Sequence, residues 1–416
     1  MKRLLILSFV LLVAVVAVND SNAQSESSEK PQVEVVFVLD STGSMGGLIE
    51  GAKQKIWDIA SEIILQKPTP EVRMGLLTYR DRGDEYVTKM FDITDDLDAI
   101  YGHLQTIQAG GGGDTPESVN QALDEAVNKM EWSPKEREVY RVIFLVGDAP
   151  PHMDYQDDVK YPETCQKAVE KGIIINSIQC GNIQSCTPIW MEIAQKSKGE
   201  FVQMAQTGNV IVIETPFDKE IAEETTKLNA TVIMYGEEKQ QEAVVGKLRL
   251  QRGMSFAGNA ARAVFNNRAD GRAVQGRGDL LFDVGEDKSL LEKAEGLPEE
   301  LQKMTVEERE KFVKEKQAER DAINKKIGEL SAKRTEWLKT EGEKKRLEAV
   351  AAATAERRTR GSDALPSVTR PADLAAQRVS APAVPEAAEP AAEAGPSFDR
   401  SVSEIIQRQS SQAAGK

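Results

Sequence analysis

The sequence predicts a doubly wound α/β domain with a mostly parallel sheet, followed by a helical extension and a disordered tail. Between residues 33 and 217, short apolar runs rich in β-branched residues alternate with amphipathic segments. Such runs are typical of parallel strands that helices cover on both faces. Residues 297–352 are rich in Glu, Lys, Arg and Ala, which predicts a long helix. Residues 353–416 turn to Ala, Pro, Glu and Ser, which predicts disorder.

The predicted strands and helices alternate along the α/β domain. The strands are 33–39, 72–79, 142–146, 173–178 and a weaker 200–204, and the helices are about 46–65, 95–107, 116–131, 157–171, 187–197 and 207–228. Ligands of such sheets bind at the loops that leave the carboxyl ends of the strands. We therefore look for chemistry in those loops.

The N-terminus has the pattern of a secretory signal peptide. A basic start at residues 1–3 precedes an apolar run at 4–18, and Ser21-Asn22-Ala23 suits cleavage before residue 24. The run is short for a membrane span, although an uncleaved anchor is the alternative. No later stretch is apolar over enough residues to cross a bilayer. We expect a secreted or periplasmic protein with no membrane span in its mature chain.

Charge and cysteine content narrow the function classes. The net charge of -14 argues against nucleic-acid binding. Three cysteines are too few for a disulfide scaffold, but Cys180 and Cys186 bracket a short polar loop and predict a local disulfide. Cys165 would then be a buried free thiol. With two histidines in the chain, a Cys/His zinc site has little support.

The region after the α/β domain is less regular. Residues 218–296 have no predicted fold apart from a strand-like stretch at 247–250. Residues 402–406 are a short amphipathic stretch without an assigned role, for which a terminal helix is the alternative. In the predicted long helix, a weak apolar seam is interrupted by Arg320 and Arg334, which favours a helical hairpin or an exposed stalk over a strong coiled coil. Self-association through this helical region is a further expectation. The seam residues are Ile323, Ile327, Leu330 and Trp337.

Three loops carry oxygen-bearing side chains in a suggestive order. After the first strand, Asp40, Thr42 and Ser44 alternate with other residues, which aims one carboxylate and two hydroxyls at one point. A run of four glycines lets a second loop approach closely, and Thr115 brings another hydroxyl. Asp148 ends the central strand as a second carboxylate. These oxygen donors suit a hard cation such as Mg²⁺.

Together these loops resemble the metal-ion-dependent adhesion site of von Willebrand factor A domains of a bacterial, secreted or periplasmic type. The loops at 79–84 and 147–152 resemble those of the hemicentin-like subgroup. The resemblance covers residues 33–217. It implies a Rossmann-like sheet with one Mg²⁺ or Mn²⁺ at its top, whose open coordination position accepts an acidic side chain from a partner protein. By position, the implied metal ligands are Asp40, Thr42, Ser44, Thr115 and Asp148.

The second loop leaves alternatives open. It is also similar to the corresponding loop of the A-like domains found in the β polypeptides of integrins. In those domains the glutamate after the proline reaches the metal, so Glu117 is the alternative to the preferred Thr115. Asp114 and Glu117 are alternative ligands for Ca²⁺ at an adjacent site. Asp81 and His152 are expected at the rim, in contact with a ligand.

The expected function is metal-dependent protein binding, in adhesion or as a scaffold, without catalysis. The alternative is a metal-assisted hydrolase or another enzyme acting at the same metal. Against the alternative, the sequence has no nucleophile elbow, no Walker-type phosphate loop and no histidine placed as a general base except His152.

Overall fold

A six-stranded sheet lies at the centre of this computed structural model, which describes residues 31–66, 68–134, 139–293, 296–349, 351–352 and 397–414. The predicted signal peptide and residues 353–396 of the predicted tail lie outside these residues. The strands are β1 (Gln32–Asp40), β2 (Glu71–Tyr79), β3 (Thr88–Thr94), β4 (Val139–Gly147), β5 (Ile173–Cys180) and β6 (Phe201–Met204). They lie in the order β3-β2-β1-β4-β5-β6, and all neighbours are parallel except β2 and β3.

The mostly parallel sheet confirms the predicted fold class, and β3 is an edge strand that the pattern missed. β1 is buried along its whole length, as its continuous apolar run predicts. Among the described strands, β3 pairs with β2 alone, and most of its residues are half-buried or exposed. Its sequence therefore lacks the apolar run that marks the inner strands.

Helices cover both faces of the sheet. Alternate residues of β1 enter opposite cores, so Phe37 packs on one side and Val38 on the other. The first core lies under α1 and α2, and the second under α3, α4 and α5. The helices are α1 (Gly46–Ile63), α2 (Leu97–Thr106), α3 (Val119–Asn128), α4 (Tyr161–Glu170) and α5 (Thr187–Lys196), with a 3-10 turn at Gly43–Met45 before α1.

All three cysteines are free and buried, so the predicted Cys180–Cys186 disulfide is wrong. Cys180 ends β5 and packs into the core under α1, whereas Cys186 packs into the core on the opposite face of the sheet. Their thiols serve as small apolar groups in two separate cores. Cys165 is a buried free thiol, as predicted.

The extension is helical and packs on the α/β domain. Its helices are α6 (Asp218–Ala230), α7 (Glu238–Arg252), α8 (Phe256–Ala269), α9 (Leu280–Glu286), α10 (Glu299–Gln302) and α11 (Val306–Trp337), with a 3-10 turn at Lys288–Leu291 and a π turn at Leu338–Gly342. Phe265 of α8 lies against Trp57 of α1, with ring centroids 5.6 Å apart. The strand-like stretch at 247–250 is helical and lies within α7, and the helix predicted from 207 begins at Asp218.

The long helix α11 is confirmed, and its seam packs inside the chain. A capping box of Thr305 and Glu308 begins the helix. Arg320 and Arg334, which interrupt the seam, are buried and pair with Asp279 and Asp218 at 2.7 and 2.8 Å. Ile323, Ile327 and Leu330 of the seam pack with apolar residues of α6 and α8. The exposed-stalk alternative is therefore wrong, and self-association through α11 would have to proceed without this seam.

A last helix, α12 (Phe398–Ala414), replaces the disorder predicted for this part of the tail. Phe398, Val402, Ile405 and Ile406 are buried in the core under α1. The rings of Phe398 and Phe37 of β1 lie 6.2 Å apart. The chain thus completes this face of the sheet with a segment that is distant in sequence. Among the described helices, none combines the length and the apolar character needed to cross a bilayer.

Candidate metal centre

The carboxyl end of β1 brings three predicted ligands together. Asp40 is fully buried at the end of the strand, and its Oδ1 accepts hydrogen bonds from the backbone N–H of Thr42 at 2.8 Å and from Thr42 Oγ1 at 2.6 Å. Ser44 Oγ lies 3.3 Å from Thr42 Oγ1, on the exposed side. The alternating spacing therefore gathers one carboxylate and two hydroxyls, as predicted.

Asp148 follows β4, the parallel neighbour of β1, and is also buried. Gln206, which follows β6, donates from Nε2 to Asp148 Oδ2 at 2.7 Å and to the Ser44 carbonyl oxygen at 3.2 Å. Gln206 thereby joins the first loop to the loop after β4. The sequence analysis did not identify Gln206 as a site residue. The only indication in the sequence is its position just after an edge strand.

The glycine run closes the second loop onto the first. Gly110 N–H donates to the Ser41 carbonyl at 3.0 Å, and Gly43 N–H donates to the Gly111 carbonyl at 3.3 Å. Gly111 has φ +76°, and a Cβ there would collide with the Asp84 carboxylate. Only glycine accommodates both this backbone conformation and this close approach.

The second loop buries Glu117 beside the cluster and leaves Thr115 exposed. Thr115 is exposed and makes no hydrogen bond among the described residues. Glu117 is 3% exposed, and its backbone bridges to the loop after β4, with its N–H on the Pro150 carbonyl at 2.9 Å and its carbonyl accepting from His152 N–H at 3.1 Å. This bridge turns the Glu117 carboxylate towards the buried acids.

Asp40 and Glu117 each have one buried carboxylate oxygen that receives no hydrogen bond from the described residues. Burial, and secondarily the Asp148 carboxylate, raise the pKa of Asp40 to about 7. Burial, and secondarily Asp40, raise the pKa of Glu117 to about 9. Asp40 Oδ2 and Glu117 Oε2 are buried and have no hydrogen-bond partner among the described residues. Such a group needs a proton or a cation, so these oxygens fit a divalent ion.

Asp81 and His152 lie beside this cluster and are more deeply buried than rim residues. Asp81 and His152 are 5% and 6% exposed. Asp114 is exposed, and its Oδ2 lies 3.9 Å from His152 Nε2. The Ca²⁺ site expected at Asp114 and Glu117 stays a prediction: Asp114 faces His152, and the neighbour with the largest effect on the Glu117 charge is Asp40.

Residues 34–216 match the family described as the von Willebrand factor A domain. The matched stretch includes β2 to β6, all but the first two residues of β1, and the three loops of the cluster. It covers less than half of the chain. The described sheet and its flanking helices are those of a von Willebrand factor A-like, Rossmann-type fold.

Individual relatives match only parts of the chain. The alpha-protein kinase vwkA of Dictyostelium discoideum is 29% identical over 121 residues, which cover 29% of this chain and 19% of that protein. An ariadne-like RING finger protein of Acanthamoeba polyphaga mimivirus is 25% identical over 120 residues, 29% of this chain and 11% of that protein. The chain thus spans less than a fifth of either relative. Proximal thread matrix protein 1 from the mussel byssus, solved with a zinc-occupied MIDAS motif, aligns with 17% identity over 42% of each chain, with a TM-score of 0.32.

Proposed function

We propose that the von Willebrand factor A-type domain at residues 34–216 binds a partner protein through a divalent ion of the Mg²⁺ type. The supporting observation is that Asp40 and Glu117 are buried together with orphaned oxygens beside the Thr42 hydroxyl. A divalent ion would neutralise both charges. The ion would also supply an electrophilic centre that attracts an acidic side chain of the partner.

The proposed ligands are oxygen atoms from all three loops. Asp40, Thr42 and Ser44 come from the first loop, Glu117 from the second and Asp148 from the third. We prefer Glu117 to Thr115 because the glutamate is the buried member of the pair. An all-oxygen set favours Mg²⁺ or Mn²⁺, and because Ser44 is exposed, a bound ion would be open to a partner's side chain on that side.

We propose binding without catalysis, in a secreted or periplasmic location. The signal-peptide pattern at residues 1–23 supports the location, as does the resemblance of the loops to a bacterial, hemicentin-like subgroup. The kinase activity named for the amoebal relative is not proposed for this chain, because the match covers 19% of that protein.

The first test is isothermal titration of Mg²⁺, Mn²⁺ and Ca²⁺ into the purified protein. We expect one Mg²⁺ or Mn²⁺ per chain, bound at least tenfold more weakly by Asp40→Asn and Glu117→Gln. Thr115→Ala, on the same loop but exposed, is the matched control and should change the affinity less than twofold. Unchanged binding by Glu117→Gln together with a loss in Thr115→Ala would reverse the ligand assignment. No binding by the wild type would overturn the site.

The partner chemistry is tested with a displayed peptide library selected on the Mg²⁺-loaded protein. We expect the selected peptides to share an Asp or Glu whose replacement by Asn or Gln abolishes binding. The Asp40→Asn protein should retain none of them. Equal binding in EDTA would contradict a metal-mediated contact.

A further inference from the structure

We propose that Asp81, Asp114 and His152 form a second metal site, which takes a transition-metal ion of the Zn²⁺ type. One ligand atom from each residue lies within 4.8 Å of the other two. The site shares no ligand with the proposed Mg²⁺ site. The experiments that test this site are therefore independent of those that test the function proposed above.

The observation that supports this site is that the Nε2 nitrogen of His152 has no hydrogen-bond partner among the described residues. The ring is stacked on Tyr155, with centroids 4.0 Å apart, and the side chain is almost completely buried. Its Nδ1 lies 2.8 Å from Asp154 Oδ1, and because a carboxylate can only accept, Nδ1 carries the proton. Nε2 is buried, has no hydrogen-bond partner among the described residues and faces two carboxylates.

The orientation of His152 is the one that metal-bound histidines have. A carboxylate on the far ring nitrogen fixes the ring and makes the near nitrogen a better donor to a metal. His152 Nε2 lies 3.3 Å from Asp81 Oδ2. Two ligand atoms bound tetrahedrally to zinc lie about 3.3 Å apart. The more distant Asp114 Oδ2, at 3.9 Å, belongs to an exposed side chain that can close onto an ion.

Asp81 is held in place by two hydrogen bonds. Its Oδ1 accepts from Ser118 Oγ at 2.9 Å, and its Oδ2 accepts from the Tyr155 hydroxyl at 2.9 Å. Two carboxylates and one imidazole make a mixed nitrogen and oxygen donor set, which suits Zn²⁺ better than Mg²⁺. The three protein ligands leave a fourth position open on the exposed Asp114 side.

The test is titration of Zn²⁺ and Co²⁺ into the full chain, purified without a histidine tag and in saturating Mg²⁺. We expect one Zn²⁺ per chain, and a Co²⁺ complex with the visible absorption of a tetrahedral site. His152→Gln should abolish this binding, and Asp154→Asn should weaken it about 10- to 100-fold. Asp114→Asn, at an exposed position that leaves the fold intact, should weaken it at least tenfold.

Two controls separate this site from its neighbour and from the other histidine. Asp40→Asn should lose Mg²⁺ and retain Zn²⁺. His103→Gln removes the other histidine of the chain and should retain Zn²⁺. In the Co²⁺ protein, a paramagnetically shifted imidazole N–H signal should persist in His103→Gln and disappear in His152→Gln.

Three outcomes would overturn the site. One is a wild type that binds no Zn²⁺ in Mg²⁺, which would leave His152 and Asp81 as neighbours without a metal. Another is Zn²⁺ binding that survives in both His152→Gln and Asp114→Asn. The third is Zn²⁺ binding that disappears with Asp40→Asn, which would place the ion at the other site. If His152→Gln does not fold, Zn²⁺ binding by Asp114→Asn decides whether the site exists.

Discussion

A buried carboxylate without a donor destabilises the folded protein whenever it is ionised. Asp40 and Glu117 each have one buried oxygen without a donor among the described residues, and their pKa values are about 7 and about 9 against ordinary values of 3.8 and 4.5. Between about pH 4 and 9 the folded metal-free protein therefore binds more protons than the unfolded chain. Its free energy of unfolding must then fall as the pH rises through this range.

We expect the melting temperature in EDTA to fall from pH 5 to pH 9. Mg²⁺ should reduce this fall, because the ion replaces the protons on Asp40 and Glu117. Thermal unfolding at several pH values, with EDTA and with Mg²⁺, measures both slopes. The double variant Asp40→Asn with Glu117→Gln should have the shallower slope in EDTA, and equal slopes for variant and wild type would refute this origin of the pH dependence.

The glycine loop allows a second prediction with a close control. Gly111→Ala places a side chain at φ +76° against Asp84, so we expect a loss of about 1–3 kcal/mol in unfolding free energy and weaker Mg²⁺ binding. Gly113→Ala, two residues later, meets no atom within 4 Å and should change stability by less than about 0.5 kcal/mol. Urea unfolding compares them, and similar losses would argue against a special backbone role for Gly111.

At the scale of single residues, the sequence predicted the site residues at the ends of strands. It was less informative about the glycine-rich second loop. Asp40, Thr42, Ser44 and Asp148 follow directly from β1 and β4, and the structure gathers them as expected. The choice between Thr115 and Glu117 depends on a backbone bridge from Glu117 to the loop after β4. That bridge is a tertiary contact with no local signature.

The sequence patterns failed for secondary-structure elements that are buried on one side only. β3 pairs along only one of its edges, and residues 247–250 alternate like a strand although they lie on one turn of α7. α12 was assigned no role because its short amphipathic stretch lies in an Ala- and Pro-rich tail. The core that it enters is formed by β1, β4 and α1, far away in sequence.

α12 offers a direct test of its packing. Ile405 is 1% exposed in the core under α1, so Ile405→Ala should lower the unfolding free energy by about 2–4 kcal/mol. Glu404→Ala changes the neighbouring position, whose side chain is 57% exposed, and should cost less than about 0.5 kcal/mol. Urea unfolding measures both, and equal small effects would mean that α12 is not docked in solution.

At the scale of the whole molecule, buried ion pairs join the extension to the α/β domain. Arg262 of α8 donates to both carboxylate oxygens of Asp98 in α2, at 2.7 and 2.5 Å. Burial alone would raise the pKa of Asp98, but the Arg262 guanidinium lowers it below its ordinary value. Such a contact could not be predicted from the sequence, because both residues have the polarity of surface positions.

Arg262→Met should therefore cost about 3–5 kcal/mol, since it leaves a buried carboxylate unpaired. Adding Asp98→Leu should recover part of this loss, and urea unfolding of the two single variants and the double variant gives the coupling. Lys303→Met, from an exposed pair with Glu299, should cost less than about 1 kcal/mol. Additive losses for the two buried positions would contradict a direct pair.

The position of α12 also has a consequence for how the protein is made. β6 ends at Met204 and α12 begins at Phe398, about 190 residues later. At a synthesis rate of roughly 5–20 residues per second, roughly 10 to 40 s pass between them on the ribosome. During that interval Phe37 and Phe144 lack part of their cover, so the nascent sheet presents an apolar face to chaperones and to other chains. Folding of this first domain is therefore completed only after translation of the whole extension.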